Sequence, residues 1–253
     1  MHIPYPLSAK VVAERMNMKT PVIIKTPQKT EEKHLILPKK LKKAGRVREY
    51  LKSRGIDKEI ISKCIEKNLI YEEEYYHNVV FVGYDEMGNA RYAGCRATNG
   101  SNFKNDATGS SKSYSFKLES KEETDTIYIF EGAIDLLSFA TFFKLYGQNW
   151  EDKTMISLAG VYQPAKIIEQ SKVPIAIQKY LSKHPEIKKI VLCLDSDEAG
   201  KNASKALQIV LSKKYEVIDK PPKIAKDYNE YLCRVLGMKK QENSKKIEKE
   251  RTR

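Results

Sequence analysis

The sequence has no stretch long and apolar enough to cross a bilayer. No apolar run approaches the ~18 residues that a spanning helix needs, and the N-terminus has no apolar segment of the kind that marks a secreted chain. Cysteine is scarce. Cys64, Cys95, Cys193 and Cys233 are far apart and form no CxxC pair. That spacing argues against a four-cysteine zinc site and against a disulfide framework, and it suits reduced thiols in a cytoplasmic protein. No internal repeat is visible.

What is present starts with charge. The 253 residues are 41% hydrophobic, enough for a core in one large domain or two small ones, and Lys plus Arg outnumber acids 46 to 33, a net charge of +13. That excess sits at the ends. Residues 1–46 carry +8, residues 239–253 carry +4, and residues 47–238 carry only +1. A near-neutral body between two basic ends predicts tails that give salt-dependent, sequence-independent affinity for a polyanion, with the chemistry in the body.

Residues 1–45 hold Pro4, Pro6, Pro21, Pro27 and Pro38 and read as a basic, largely extended arm. An amphipathic helix is expected over 41–55, ending at Gly55, and a second over 58–68 with Asp57 as its N-cap. HNVVFVGY at 77–84, a turn at 85–89 and ARYAGCRA at 90–97 predict a β-hairpin. Residues 98–112 read as a loop and 113–118 as a strand. From 121 onward strands and helices alternate. Strands are expected at 126–130, 154–158, 189–194 and 215–219, and helices over 132–146, 164–184, 200–213 and 227–236. This is an α/β pattern: a mostly parallel sheet flanked by helices, after a small α+β subdomain over 46–120. A basic tail over 239–253 closes the chain.

Glu131 follows the strand TIYIF, Asp195 and Asp197 follow KIVLCL, and Asp227 precedes the last helix. In open α/β sheets, ligands bind beyond the carboxyl ends of the strands. Carboxylates gathered there repel unless a cation neutralises them, and hard oxygen ligands suit Mg²⁺ or Mn²⁺. Each acid also has an ordinary reading: Asp-Ser-Asp suits a turn and helix cap, and Glu131 suits the first turn of a helix. Asp135, one turn past Glu131, shares its helix face or is a surface acid. Arg91 and Arg96 are phosphate-binding candidates five residues apart. A regular strand turns them to opposite sides, and Arg96 is the favoured one. Lys201 follows the Asp-Ser-Asp turn and either touches phosphate or is an exposed helix lysine. His77 and Trp150 read as structural.

FEGAIDLLSF at 130–139 and VLCLDSDEAG at 191–200 resemble the two signature motifs of the Toprim domain, shared by bacterial primases, topoisomerases and some nucleases. KDYNEYL at 226–232 resembles the later acidic motif of the primase branch, and SLAG at 157–160 falls where that branch has a strand and turn. YLKSRGID at 50–57, NVVF at 78–81, ARYAGCR at 90–96 and the pair Lys112 and Tyr114 are similar to parts of the primase catalytic core. Small domain plus Toprim is an arrangement similar to proteins of mobile and conjugative elements of Gram-positive bacteria.

The resemblance implies roles. Glu131, Asp195 and Asp197 would be catalytic and would bind Mg²⁺ (or Mn²⁺), with Asp227 and Asp135 as further metal ligands. Arg96, Arg91, Lys112 and Lys201 would contact nucleic acid or nucleotide. The activity implied is primase-like nucleotidyl transfer on single-stranded DNA with NTPs. The partners implied are replication or transfer proteins of a mobile element, with no membrane involved. Two alternatives stand beside it: a Toprim phosphodiester hydrolase, and a non-catalytic DNA-binding accessory. The chain departs from primases in its first 45 residues, which have no cysteine and only His2 and His34, so no zinc module is expected. It lacks the P-loop that accompanies Toprim nucleases.

Overall fold

The computed structural model describes residues 34–238. Residues 1–33 of the expected arm, and all of the tail expected over 239–253, lie outside the described residues. No described helix is long and apolar enough to cross a membrane.

Two short helices, α1 (Gly45–Ser53) and α2 (Lys58–Glu66), precede a four-stranded antiparallel sheet. Each helix start is held by a carboxylate. Asp57 caps α2 as expected, accepting from the Glu59 N–H at 2.8 Å. Ala44 offers α1 no side-chain cap. The buried Glu72 reaches across instead and accepts from the N–H groups of Arg46 (3.0 Å) and Val47 (3.2 Å). The same carboxylate meets His77 Nδ1 at 2.6 Å, which gives that histidine a structural role.

The antiparallel sheet runs β1 (Ile70–Glu72), β2 (Val79–Tyr84), β3 (Ala90–Arg96), β4 (Lys104–Asp106). The hairpin β2–β3 matches expectation. The segment expected as a loop over 98–112 instead contains β4, because Gly94–Arg96 offer an open edge to which three polar residues can pair. The strand expected over 113–118 shrinks to a 3₁₀ turn, Lys112–Tyr114, and a two-residue strand β5 (Lys117–Leu118).

The second sheet has the order β5-β7-β6-β8-β9, with β6 (Thr126–Phe130), β7 (Thr154–Ser157), β8 (Lys189–Leu192) and β9 (Glu216–Asp219) parallel and β5 antiparallel at the edge. Its helices are α3 (Ala133–Leu145), α4 (Ile175–Lys183), α5 (Glu198–Leu211) and α6 (Tyr228–Val235). The helix expected over 164–184 is cut to its second half. Pro174 sits at the α4 N-cap, where a missing N–H costs nothing, and a proline disfavours helix in the residue before it.

Strand alternation divides the core in two. Ile127 and Ile129 of β6 turn toward α4 and α5, joining Ile177, Ile190, Leu192 and Leu207. Phe130 turns the other way with Met155 and Val191, against α3, α6 and the N-terminal helices. Helix α3 is therefore covered on nearly every side, which is why its sequence is apolar all round. Phe139 stacks edge-on against Tyr228 at 4.8 Å and packs on Phe130 at 5.2 Å. Polar clamps hold the N-terminal helices on α3 and α6: Lys144 Nζ of α3 pairs with Asp57 (2.7 Å) and Glu59 (2.6 Å), and Asn229 Nδ2 of α6 donates to the Arg54 carbonyl at 2.7 Å.

Candidate active site

Strands β6 and β8 are parallel neighbours, and the pairing of Ile129 with Leu192 extends by one bond, Cys193 N–H to Ile129 carbonyl at 2.8 Å. The residues that follow are therefore carried side by side past the sheet's carboxyl edge. Glu131, 9% exposed, accepts from the Asp195 N–H at 3.4 Å. Asp135 is in the first turn of α3, and its carboxylate accepts from the Asn229 N–H of α6 at 3.2 Å. A Cβ on Gly132 would stand 3.2 Å from Asp135 Oδ2, so the glycine leaves that carboxylate room. Asp227 caps α6, accepting from the Glu230 N–H at 2.7 Å.

Glu131, Asp135, Asp195 and Asp227 all line one cavity of about 310 Å³. They perturb one another. Burial, then the charges of Asp135, Glu131 and Asp227, push Asp195 up to about 8. Burial and the Asp227 carboxylate raise Asp135 as well. Burial raises Glu131, with the Asp195 N–H bond opposing. Burial disfavours the charged forms of Glu131, Asp135 and Asp195, and such a site favours cationic occupants.

The small antiparallel sheet adds Arg96, Lys104, Asn105 and Asp106 to the lining. The Arg96 and Lys104 charges act on Asp135 and Glu131, respectively. Arg91 is elsewhere. Its guanidinium lies 4.0 Å from Asp85 and 5.5 Å from the Tyr114 ring centre. Of the two arginines on β3, Arg96 lines the cavity and Arg91 does not. Lys112 borders the site, donating to the Ala159 carbonyl at 3.0 Å and lying 3.6 Å from Asp106. Ser157, Ala159 and Gly160 also line the cavity. Ala159 there takes φ 57°, a strained angle for a residue with a side chain, and the Gly160 N–H donates to the Glu131 carbonyl at 3.0 Å.

Asp197 and Lys201 do not line the cavity, although the Asp197 charge acts on Glu131 and raises it. Asp197 caps α5, accepting from the Gly200 N–H at 3.0 Å, and pairs with Lys226 Nζ at 3.2 Å. The cap and the Lys226 charge lower it, opposite to Asp195. Lys201 is exposed on α5 and lines no part of the cavity. Lys226 and Lys104 are cavity residues that sequence reading passed over. Lys226 directly precedes Asp227, which was a usable signal. Lys104 sits in a segment that reads as loop.

The acids fit a divalent cation in donor chemistry and in charge. In the arrangement seen, no three His, Cys, Asp or Glu side chains among the described residues are grouped closely enough to hold an ion together.

Residues 128–232 match the family model described as Toprim-like, and residues 49–122 match the one described as "Protein of unknown function (DUF3991)". Among solved structures, the chain is similar to the primase fragment of the bacteriophage T7 primase-helicase protein, with 20% identity, 74% of this chain and 69% of that one covered, and a TM-score of 0.47. It is also similar to the Escherichia coli primase catalytic core, with 16% identity, coverage of 76% and 69%, and a TM-score of 0.48. The RNA polymerase domain of the Mycobacterium tuberculosis primase gives 12% identity, coverage of 76% and 72%, and a TM-score of 0.49. No curated protein matches the sequence.

Proposed function

From the premise that this chain carries a Toprim-like domain, 128–232, behind a DUF3991 domain, 49–122, we propose that the cavity is a Mg²⁺-dependent phosphoryl-transfer site acting on nucleic acid, with primase-like nucleotidyl transfer as the reaction. The observation that carries this reading is that acids and bases line one cavity: Glu131, Asp135, Asp195 and Asp227 together with Arg96, Lys104 and Lys226. Acids alone would repel a phosphate, and bases alone would bind it without activating it.

On this reading Asp195, Glu131, Asp135 and Asp227 would hold the ion. When bound, a divalent ion neutralises phosphate charge and lowers the pKa of an attacking hydroxyl. Arg96 would grip phosphate oxygens in two places, and Lys104 would add a point charge. Glu131, raised by burial, is suited to accept a proton from the attacking hydroxyl. Asp197 would fix Lys226 at the cavity by the ion pair between them. The partners are then single-stranded DNA and NTPs, and the place of action is the cytoplasm, in replication or transfer of a mobile element.

The test is primer synthesis on a single-stranded DNA template with labelled NTPs and Mg²⁺ or Mn²⁺. Products longer than one nucleotide that vanish in Asp195→Asn support the reading. Shortened template with no primer would replace it with phosphodiester hydrolysis. Unchanged template and nucleotides under every metal would contradict both.

A further inference from the structure

Large apolar rings left in water are the exception in a folded domain, and clustering of them marks a binding surface. Among the described residues the most exposed aromatic side chains are Tyr75 (70%), Tyr76 (77%), Tyr146 (66%) and Phe103 (48%). Three of the four belong to one end of the antiparallel sheet. Tyr75 and Tyr76 are in the loop that leads into β2, and Phe103 is in the loop that leads from β3 into β4. The two loops are tied together: Thr98 Oγ1 donates to the His77 carbonyl at 2.8 Å. The Ala97 N–H donates to the Phe103 carbonyl at 3.1 Å.

The cavity lining, which runs along β3 and β4, reaches this sheet end. Val79 pairs with Arg96, and Arg96 with Lys104, so the basic pair lining the cavity is the last rung of the ladder before both loops. The tyrosine loop is also held in shape. The carboxylate of Glu73, only 6% exposed, accepts from the N–H groups of Tyr75 and Tyr76, both at 3.0 Å. Asn78 Nδ2 donates to the same carboxylate at 3.3 Å. Glu74 is paired with Lys39 at 2.6 Å, which offsets its charge beside the rings. A buried acid thus fixes a loop whose two rings point away from any core.

We propose that Tyr75, Tyr76 and Phe103 form a base-stacking platform for single-stranded nucleic acid, delivering the strand over Arg96 and Lys104 into the cavity. Every base has an aromatic face, so rings beside a cationic rail bind single strands with little sequence preference, whereas a duplex keeps its bases stacked inside. This placement rests on the active-site reading above, whose acids it does not involve.

The experiment measures binding of a fluorescein-labelled oligothymidylate of about 20 nucleotides to the full chain by anisotropy, in chelator and at about 0.2 M salt, where charge-only contacts are weakened. The double variant Tyr75→Ala/Tyr76→Ala and the single variant Phe103→Ala are expected to weaken binding about tenfold or more, while Tyr75→Phe/Tyr76→Phe retains it. Binding of a blunt duplex of equal length is expected to change less than about twofold. Unchanged single-strand affinity in the alanine variants overturns the proposal, as does equal loss on the duplex. Because no metal is present, that failure is separate from failure of the catalytic reading, which Asp195→Asn tests through activity.

Discussion

The Asp195 backbone N–H donates to the Glu131 carboxylate at 3.4 Å, and that one contact joins the ends of two neighbouring parallel strands, β6 and β8. It places an acid from each of the two sequence motifs on the same cavity wall, although 64 residues separate them. The consequences below follow from that wall and from the elements that hold it.

Crowded acids cost stability when no cation is present. Asp195→Asn removes one of four mutually repelling carboxylates and is expected to stabilise the metal-free protein by about 1 kcal/mol while reducing activity a hundredfold or more. The urea midpoint in chelator and the primer-synthesis rate together check this. A destabilised and active variant would be the opposite of the expectation.

Gly200 tests how tightly the Asp195 loop is held. In an exposed helix, Gly→Ala stabilises by roughly 1 kcal/mol. Here a Cβ would come within 2.1 Å of the Asp195 carbonyl oxygen, in the backbone, so the sign should reverse. Gly200→Ala is expected to lower thermal stability and to impair activity at the same time, measured by melting and by the primer assay.

The two β3 arginines give an internal control. Arg96→Ala should raise the KM for NTP or template about tenfold, and Arg91→Ala should leave it within about twofold, because only Arg96 lines the cavity. Equal effects from both variants would mean that the phosphate path runs along the other face of the hairpin.

The clamp between α2 and α3 is pH-dependent. Hydrogen bonds and charge from Lys144 and then Lys63 hold Glu59 at about 2, below the usual 4.5. A carboxylate lowered by folding contributes stability above its unfolded pKa and loses it as pH falls toward its folded one. Glu59→Gln should therefore melt below the native protein at pH 6, with the difference closing between about pH 4.5 and 2. Melting curves of the two proteins across that range provide the check.

Much of this was legible in the sequence because the central sheet is built from local signals. TIYIF at 126–130 is a strand with the bounds its pattern predicts, and Asp57 caps a helix as its position implies. Position after a strand likewise pointed to Glu131 and Asp195, both of which line the cavity, whereas parity on β3 only separates Arg91 from Arg96 without choosing between them. The rest depends on distant partners. β4 exists only because β3 has an open edge, and α1 is capped by Glu72 from 26 residues away, which no local pattern encodes. Asp-Ser-Asp after a strand suits both a metal-binding acid and an N-cap, and Asp197 caps α5. The structure places its side chain on the helix and on Lys226. Lys104 was missed because a three-residue polar edge strand has no hydrophobic period to detect.

The central claim is that the four carboxylates form a divalent-cation site. Titration of the full chain with Mn²⁺, followed by the loss of free-ion paramagnetic resonance signal, tests it most directly. The account predicts saturable binding that is abolished or weakened at least about tenfold in Asp195→Asn and in Glu131→Gln, with Lys201→Ala unchanged. Equal Mn²⁺ binding by the native protein and both carboxylate variants would contradict it.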